Sequence, residues 1–256
     1  KPALSAVEGN PIQNAHRTYF GPNANIAADA ITSGDGGKVI VWSNDTTRAY
    51  GNISARGGAQ SGNGGFVEVS GKRNLEFDAR VDVSAPRGAS GTLLLDPQDI
   101  VISDATGTDN SQLNADVPTA GDPAGSIFFA DGGAVTFTLT DEALEAQTGN
   151  IVLQATRDIS VNTGLSGGLN LVNQGTGERV VFQAGRDITI SSALTTNGAA
   201  IILEADSPHP PGGPDGVGVV RISAPVNSCG GLVPATCLGG NVTLIGGGNS
   251  SPGGGF

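Results

Sequence analysis

The sequence is poor in charged and aromatic residues. Only 14 % of its 256 residues are charged and 4 % are aromatic, whereas 38 % are hydrophobic. Disordered chains have the opposite balance, because they cannot bury enough apolar surface to fold, so we expect a folded protein. Its 13 basic and 24 acidic residues give a net charge of −11. This deficit of Lys and Arg argues against a nucleic-acid partner, whose phosphates must be neutralised, and against anionic membrane surfaces.

Methionine and long apolar runs are also missing. No stretch approaches the roughly 18 consecutive apolar residues of a transmembrane helix, so we expect no membrane insertion. The chain has no Met and begins at Lys1, which indicates a processed product or a fragment of a longer protein. No secretory signal is visible, as is also true of a chain whose signal has been removed.

Residues that could catalyse a reaction or bind a cofactor do not converge. His16 and His209 have no nucleophile or acidic partner at motif spacing, and we expect both on surface loops. Nothing matches an EF-hand loop or the repeated nonapeptide of calcium-binding β-rolls. The Gly-rich stretches lack the Lys-Ser/Thr of a phosphate loop and precede strands. We therefore expect no catalytic residue, no metal ion and no cofactor.

The two cysteines, Cys229 and Cys237, lie in the segment CGGLVPATC. This spacing, with two Gly and a Pro between them, suits a small disulfide loop in an exported protein, where such bonds persist. The alternative is a pair of reduced thiols, because two ligands alone make a poor zinc site. A loop this short contributes about 2–3 kcal/mol in the chain-entropy model and acts as a local staple.

Internal repeats indicate the fold class. A pattern of small or polar, any, apolar, any, apolar residues recurs in GKVIVWS (37–43), GFVEVSG (65–71), GTLLLDP (91–97), GNIVLQA (149–155), ERVVFQA (178–184), AAIILEA (199–205) and GNVTLIG (240–246). A second strand follows at a fixed offset in DIVIS (99–103), DISVN (158–162), DITIS (187–191) and, more loosely, VRISA (220–224). Short β-rich units with this spacing and Gly at their corners are typical of a β-solenoid. The one long step, from residue 91 to 149, fits two periods.

Alternation within each repeat predicts which side chains form the core. The inward pairs are Val39/Val41, Val67/Val69, Leu93/Leu95, Ile151/Leu153, Val180/Phe182, Ile201/Leu203 and Val242/Leu244. One rung cannot bury its apolar face alone, so a stack of roughly ten rungs is the expected cooperative unit. We predict an all-β chain that forms a right-handed parallel β-helix as one domain over residues 1–256, the hand following from the general rule for parallel crossovers.

Three segments interrupt the strand pattern. Residues 140–150, TDEALEAQTGN, combine helix formers with acids in the first turn and a following Gly, which predicts a short helix. This helix and the loop before it form a predicted insertion over residues 104–147. Residues 207–218 and 225–239 are predicted to be surface loops.

The outward column of the main repeat is apolar. It consists of Ile40, Glu68, Leu94, Val152, Val181, Ile202 and Thr243, of which five are apolar. The solvated face of a sheet should be polar there, so we expect this face to be covered, either by residues 104–147 or by another molecule. The candidate interface residues are Ile40, Leu94, Val152, Val181 and Ile202.

Trp42, the only tryptophan, is also expected to point outward. An exposed indole can stack on a sugar ring, which makes Trp42 a candidate glycan contact. The alternative, which we favour, is that it packs under the following loop with Tyr50. Charged residues recur beside the second strand, where Arg157 and Arg186 are expected to form a solvated row of ion pairs with stacked aspartates. The acids that an enzyme of this architecture would use are Asp96, Asp99, Asp104, Asp158 and Asp187, and we expect ion pairs there rather than catalysis.

Four short sequence motifs occur together in this chain: VWS, GGFVEVSG, SAPRG and GTLLLDP. In this combination the chain resembles the filamentous haemagglutinin-type exoproteins, the large secreted partners of two-partner secretion systems in Gram-negative bacteria. The likeness is continuous from about Ala24 to Asn162. It implies a right-handed parallel β-helix, export through an outer-membrane transporter, and roles in adhesion, biofilm or aggregation. The family's amino-terminal targeting signature is not apparent in residues 1–40, so transporter recognition would lie elsewhere in the parent chain.

We therefore expect a structural or adhesive segment of an exported surface or extracellular-matrix fibre, located outside a Gram-negative cell or on its outer surface. The expected partners are other copies of the chain or neighbouring rungs of a longer one, and surface glycans. The alternatives are a carbohydrate-active β-helix enzyme or a glycan-binding module. An enzyme predicts converging carboxylates, a binding module predicts an exposed aromatic platform, and a fibre predicts sizeable subunit interfaces.

Overall fold

A computed structural model describes residues 13–104, 139–207, 216–230 and 239–247 of the chain. These residues form short strands and one short helix. Their bounds are β1 (Arg17–Phe20), β2 (Asn25–Ala27), β3 (Lys38–Ser43), β4 (Thr46–Ala49), β5 (Asn52–Ser54), β6 (Phe66–Gly71), β7 (Asn74–Phe77), β8 (Arg80–Asp82), β9 (Thr92–Leu95), β10 (Ile100–Ser103), β11 (Leu139–Thr140), α1 (Asp141–Glu145), β12 (Asn150–Ala155), β13 (Ile159–Val161), β14 (Leu169–Gly175), β15 (Arg179–Ala184), β16 (Ile188–Ile190), β17 (Leu194–Asn197), β18 (Ala200–Ala205), β19 (Val220–Ile222), β20 (Val226–Asn227) and β21 (Val242–Ile245).

The strands stack into parallel sheets that run along the coil. The first sheet has the order β3-β6-β9-β12-β15-β18-β21. The second side of the coil, which we call the second sheet, consists of two separate pieces, β1-β4-β7 and β11-β10-β13-β16-β19. The third side, which we call the third sheet, likewise consists of β2-β5-β8 and β14-β17-β20. Apart from β10 and β11, consecutive strands thus lie in different sheets, and the sheets join equivalent strands of successive rungs. This architecture is a parallel β-helix, as the repeats predict, and its right hand stays a prediction.

The register of the first sheet reproduces the predicted inward columns. Val39 pairs with Val67 and Leu93 pairs with Ile151. From β6 to β18 every inward member of these pairs is fully buried. The last pair differs, since Val242 is 43 % and Leu244 is 53 % exposed. Within the described residues β21 pairs only with β18, so nothing described there covers its second edge.

The long step between residues 91 and 149 holds one rung and not two. Leu93 of β9 pairs directly with Ile151 of β12, so no further strand of the first sheet lies between them. Sequence spacing alone could not distinguish two periods from one period with an insertion. The described part of the first sheet therefore has seven strands, fewer than the roughly ten rungs expected.

Glycine is required at the corner that precedes the first sheet. Gly34 and Gly62 occupy equivalent positions with φ of +120° and +116°, and a Cβ on Gly62 would lie 1.9 Å from the Gly34 carbonyl oxygen. The next residues link the rungs. The Asp35 carboxylate accepts from the Asn63 amide (2.7 Å), and the Asn63 side-chain oxygen accepts from the Ala89 amide (2.9 Å). Close stacking of successive corners thus excludes larger residues at the glycines.

The predicted short helix is present as α1, which is capped by Thr140. The Thr140 hydroxyl accepts from the Ala143 amide at 3.1 Å. Residues 105–138 of the predicted insertion lie outside the described residues. The described end of that insertion contains a strand that alternation missed: β11 pairs with β10, with Ser103 opposite Thr140. Two residues are too few to show a period.

Helix α1 packs against β14, and the segment that follows it takes the place of a third-sheet strand between β8 and β14. The fully buried Gln147 of this segment completes the hydrogen bonds of β8. Its Oε1 accepts from the Val81 amide (2.8 Å), and its Nε2 donates to the Ala79 carbonyl (2.9 Å). On the other side, Gln174 Nε2 donates to the Gln147 carbonyl at 2.9 Å. One side-chain amide therefore substitutes for the backbone of a missing strand.

The predicted loops at 207–218 and 225–239 are described only in part, because residues 208–215 and 231–238 lie outside the described residues. Within the second segment, β20 is a strand and not a loop. Val226 of β20 pairs with Leu194, which continues the third sheet for one more rung. The described chain contains no helix long and apolar enough to cross a membrane.

Candidate functional site

The five candidate interface residues lie in one column on the outer face of the first sheet. Strand pairing aligns Ile40, Glu68, Leu94, Val152, Val181, Ile202 and Thr243 in successive rungs. Each is flanked by inward-facing neighbours, so the column lies on the side opposite the core. We call these residues the outer column.

Burial along the outer column is uneven. Ile40 is 50 % exposed, whereas Val181 is buried and Leu94, Val152 and Ile202 are half-buried. Parallel stacking brings each aliphatic side chain against the same position one rung away, which removes part of its surface from water. Ile40 is thus open to solvent within the described chain, and the predicted cover of this face, by residues 104–147 or by another molecule, stays a prediction.

Glu68 is the charged member of the outer column and is buried. Its carboxylate accepts from the Ser70 hydroxyl at 3.0 Å, and Ser70 is itself fully buried. Thr47 on the neighbouring strand donates to the Ser70 carbonyl at 2.7 Å. Strand β6 is therefore buried on both of its faces, unlike β3.

A polar column runs beside the outer column in the C-terminal rungs. Gln154 Nε2 donates to Gln183 Oε1 (2.7 Å), and Gln183 Nε2 donates to Glu204 Oε2 (2.7 Å). The sequence analysis did not predict this ladder, although the repeats IVLQA, VVFQA and IILEA carry an amide or acid at the same position. This ladder joins three successive rungs, and hydrogen-bonded side-chain rows of this kind hold strands in register.

Trp42 lies on the outer face, in register with Ser70, and is half-buried. Its carbonyl accepts from the Thr18 hydroxyl at 3.0 Å. Tyr50 contacts Tyr19, with ring centroids 5.6 Å apart, and burial followed by the neighbouring Glu76 raises the pKa of Tyr50. The described residues thus hold Trp42 beside β1, and the aromatic pair on this side of the coil is formed by two tyrosines.

A row of ion pairs lines the corner between the first and second sheets. Arg157 pairs with Asp99, Arg186 with Asp158 and Arg221 with Asp187, so each arginine reaches the aspartate of the preceding rung. The aspartates also accept from the backbone of the following rung. The Asp187 amide donates to Asp158 at 3.2 Å and the Val219 amide to Asp187 at 2.9 Å.

This ion-pair row engages both oxygens of its aspartates. The Arg221 guanidinium, and then the Val219 amide, hold the pKa of Asp187 below its usual value. General acid–base catalysis by two carboxylates needs their pKa values to be pushed apart, with one raised toward neutrality. The row matches the predicted row of ion pairs, and the structure adds that each pair joins two successive rungs.

The predicted disulfide and histidines lie at the margins of the described coil. Cys229 is disulfide-bonded and lies two residues after the end of β20, with its amide donating to the Asn227 side chain at 2.9 Å. Cys237 and His209 lie outside the described residues. His16 is exposed just before β1, with Nδ1 4.0 Å from the Asp45 carboxylate.

Comparison with known proteins adds no identification. No protein-family model matches the chain, and no match to a curated protein reaches significance. Function must therefore be inferred from the coil itself, from its stacked columns, its ion-pair row and the strand at its end.

Proposed function

We propose that the chain is a structural and adhesive segment of an exported bacterial surface or extracellular-matrix fibre. In this proposal its rungs stack on other copies of the chain, or on neighbouring rungs of a longer one. The sequence resemblance to filamentous haemagglutinin-type exoproteins supports export through an outer-membrane transporter and a place on or outside a Gram-negative cell. Surface glycans are the further partners that an adhesive role implies.

The observation that carries the proposal is the open end of the core at β21. Val242 and Leu244 continue the inward columns but are 43 % and 53 % exposed, whereas Ile201 and Leu203 one rung earlier are fully buried. Among the strands that the structure describes, β21 pairs only with β18, and exposed aliphatic side chains beside such a strand edge form a template for another strand. A further rung of the same kind would bury them.

The bonds between rungs are compatible with the same proposal. The amide ladder and the ion-pair row both join successive rungs, and in the row each arginine reaches the aspartate of the preceding rung. Such an arrangement is heterologous and does not close on itself, so adding copies extends a rod. A rod also presents the outer column along its length, where the exposed Ile40 is available for lateral contact.

The test is the association state of the full chain, measured by analytical ultracentrifugation and electron microscopy over a range of concentrations. Leu244→Asp places a charge on the open core and should shift assemblies toward the 25.4 kDa monomer. Val172→Asp is the matched control, because Val172 is 51 % exposed but lies on β14, away from the open end. It should leave assembly unchanged.

A wild-type chain that stays monomeric at every concentration would contradict stacking between copies. Equal effects of the two aspartate variants would contradict the assignment of the contact to β21. Circular dichroism of both variants separates loss of assembly from loss of fold.

A further inference from the structure

Three carboxylates meet where the second sheet changes its strand order. Asp104 directly follows β10, and Asp141 and Glu142 are the first residues of α1. One carboxylate oxygen of each residue lies within 4.8 Å of the others. The pairing of Ser103 with Thr140 causes this meeting, because the residue after each strand must then be a neighbour of the other.

Asp141 provides a second, separate observation. It is 5 % exposed, and its buried Oδ1 has no hydrogen-bond partner. Burying a carboxylate oxygen without a partner is costly, and proteins relieve that cost by protonation, by an ion pair or by metal coordination. The same carboxylate supplies an oxygen within 4.8 Å of an oxygen of Asp104 and of Glu142, so the group that lacks a partner belongs to the cluster.

The charges around this cluster are of one sign. Glu145 lies near enough to Asp141, and Asp78 near enough to Glu142, to add two further negative charges beside the cluster. Among the described residues, none of these five acids forms an ion pair with Lys, Arg or His. The local field therefore attracts a cation that the described protein does not supply.

We propose that Asp104, Asp141 and Glu142 bind a calcium ion. Calcium takes oxygen ligands at about 2.3–2.6 Å, so two ligands on opposite sides of the ion lie roughly 4.8 Å apart. The smaller magnesium ion demands shorter bonds near 2.0–2.1 Å in a rigid octahedron. Zinc and copper sites use nitrogen and sulfur ligands, and this cluster contains neither His nor Cys. Water and backbone carbonyls complete the coordination in this assignment.

The ion would join the end of β10 to the start of α1. These two points are 37 positions apart in the sequence, and the short pairing of β10 with β11 holds them together. The calcium site would therefore fix the rung that contains α1. This inference does not depend on fibre formation, because it concerns a contact within one chain.

The first experiment is calorimetric titration of the full chain with CaCl2 after treatment with EDTA. We expect one site, with a Kd of about 10⁻⁴–10⁻³ M as in extracellular calcium modules, and a higher Tm in calcium than in an equal concentration of magnesium. Asp104→Asn and Glu142→Gln are exposed changes that should weaken calcium binding at least tenfold. Asp35→Asn is the matched control, an exposed carboxylate at a distant corner, and should bind calcium normally.

Asp141→Asn gives a second readout. It should raise Tm in EDTA, because it removes a buried unpaired charge, and should abolish the further rise in calcium. Absence of saturable binding at 10-fold the expected Kd would overturn the proposal. So would equal Tm shifts in calcium and magnesium, or unchanged binding in both Asp104→Asn and Glu142→Gln.

Discussion

The rungs before and after α1 share one backbone design and differ in part of the side-chain bonding that holds it. Arginine–acid pairs join successive rungs on both sides, as Arg48 does with Glu76 before α1 and Arg186 does with Asp158 after it. Before α1, corners are also linked by Asp and Asn side chains that accept from the backbone of the next rung, as Asp35 does from Asn63, whereas after α1 the amide ladder from Gln154 to Glu204 is added. Both groups of rungs share the aliphatic core. We infer that burial of this core drives formation of the coil, whereas the side-chain bonds between rungs hold the strands in register.

The largest expected effect tests whether the rungs before α1 and the rungs after α1, which we call the two halves of the coil, share a single core. Phe77 in β7 and Phe182 in β15 are both buried, one on each side of α1. Replacing either residue with Ala should cost about 3–5 kcal/mol, because each change leaves a large cavity. Urea denaturation, monitored by far-UV circular dichroism, measures the free energy of unfolding of both variants. Two separate unfolding transitions in either variant would show that the halves fold independently.

A smaller effect is expected where the halves meet. Gln147→Leu would leave the Val81 amide and the Ala79 carbonyl without their partners, at about 1–3 kcal/mol for each buried group. Gln183→Leu is the matched control, because its ladder is partly solvated, and should cost less than about 1 kcal/mol. Denaturation midpoints of the two variants give the comparison. Equal losses would mean that Gln147 does not substitute for a strand.

The smallest effect separates the two kinds of corner by their response to salt. Arg186→Gln removes one exposed ion pair and should cost about 0.2–1 kcal/mol at low ionic strength and almost nothing in about 1 M NaCl. Asp35→Ala removes a hydrogen bond to a backbone amide and should cost about 0.5–1.5 kcal/mol. Its cost should depend less on salt. If added NaCl reduces the loss of unfolding free energy equally in both variants, the proposed difference between the two kinds of corner is wrong.

The sequence predicted what is local and missed what depends on distant pairing. The inward columns follow from alternation within five residues, and α1 follows from its helix formers, the acids of its first turn and the glycine after it. The two-residue strands β11 and β20 carry no period of their own and form only because a neighbouring strand is already in place. The roles of Gln147 and of the acids around Asp141 depend on the β10–β11 pairing, which no local pattern reveals.

The outer faces were predicted less well than the core for a related reason. Alternation assigns a side to Ile40, Val181 and Trp42, but exposure depends on which side chains stack above and below. Ile40 lies near one end of the described sheet and is half exposed, whereas Val181 lies between two aliphatic neighbours and is buried.

The insertion of β11 beside β10 has a mechanical consequence. Among the described sheets, only the first pairs the rung of β6, β7 and β8 with the rung of β9 and β10. At this level, tension along the coil is therefore carried by the pairing of β6 with β9, by corner hydrogen bonds such as that from the Gln98 amide to the Arg73 carbonyl, and by the side-chain bonds of Gln147. When the coil is pulled from its ends, we expect the contacts between these two rungs to break first. This junction would then be the mechanically weakest point of the coil.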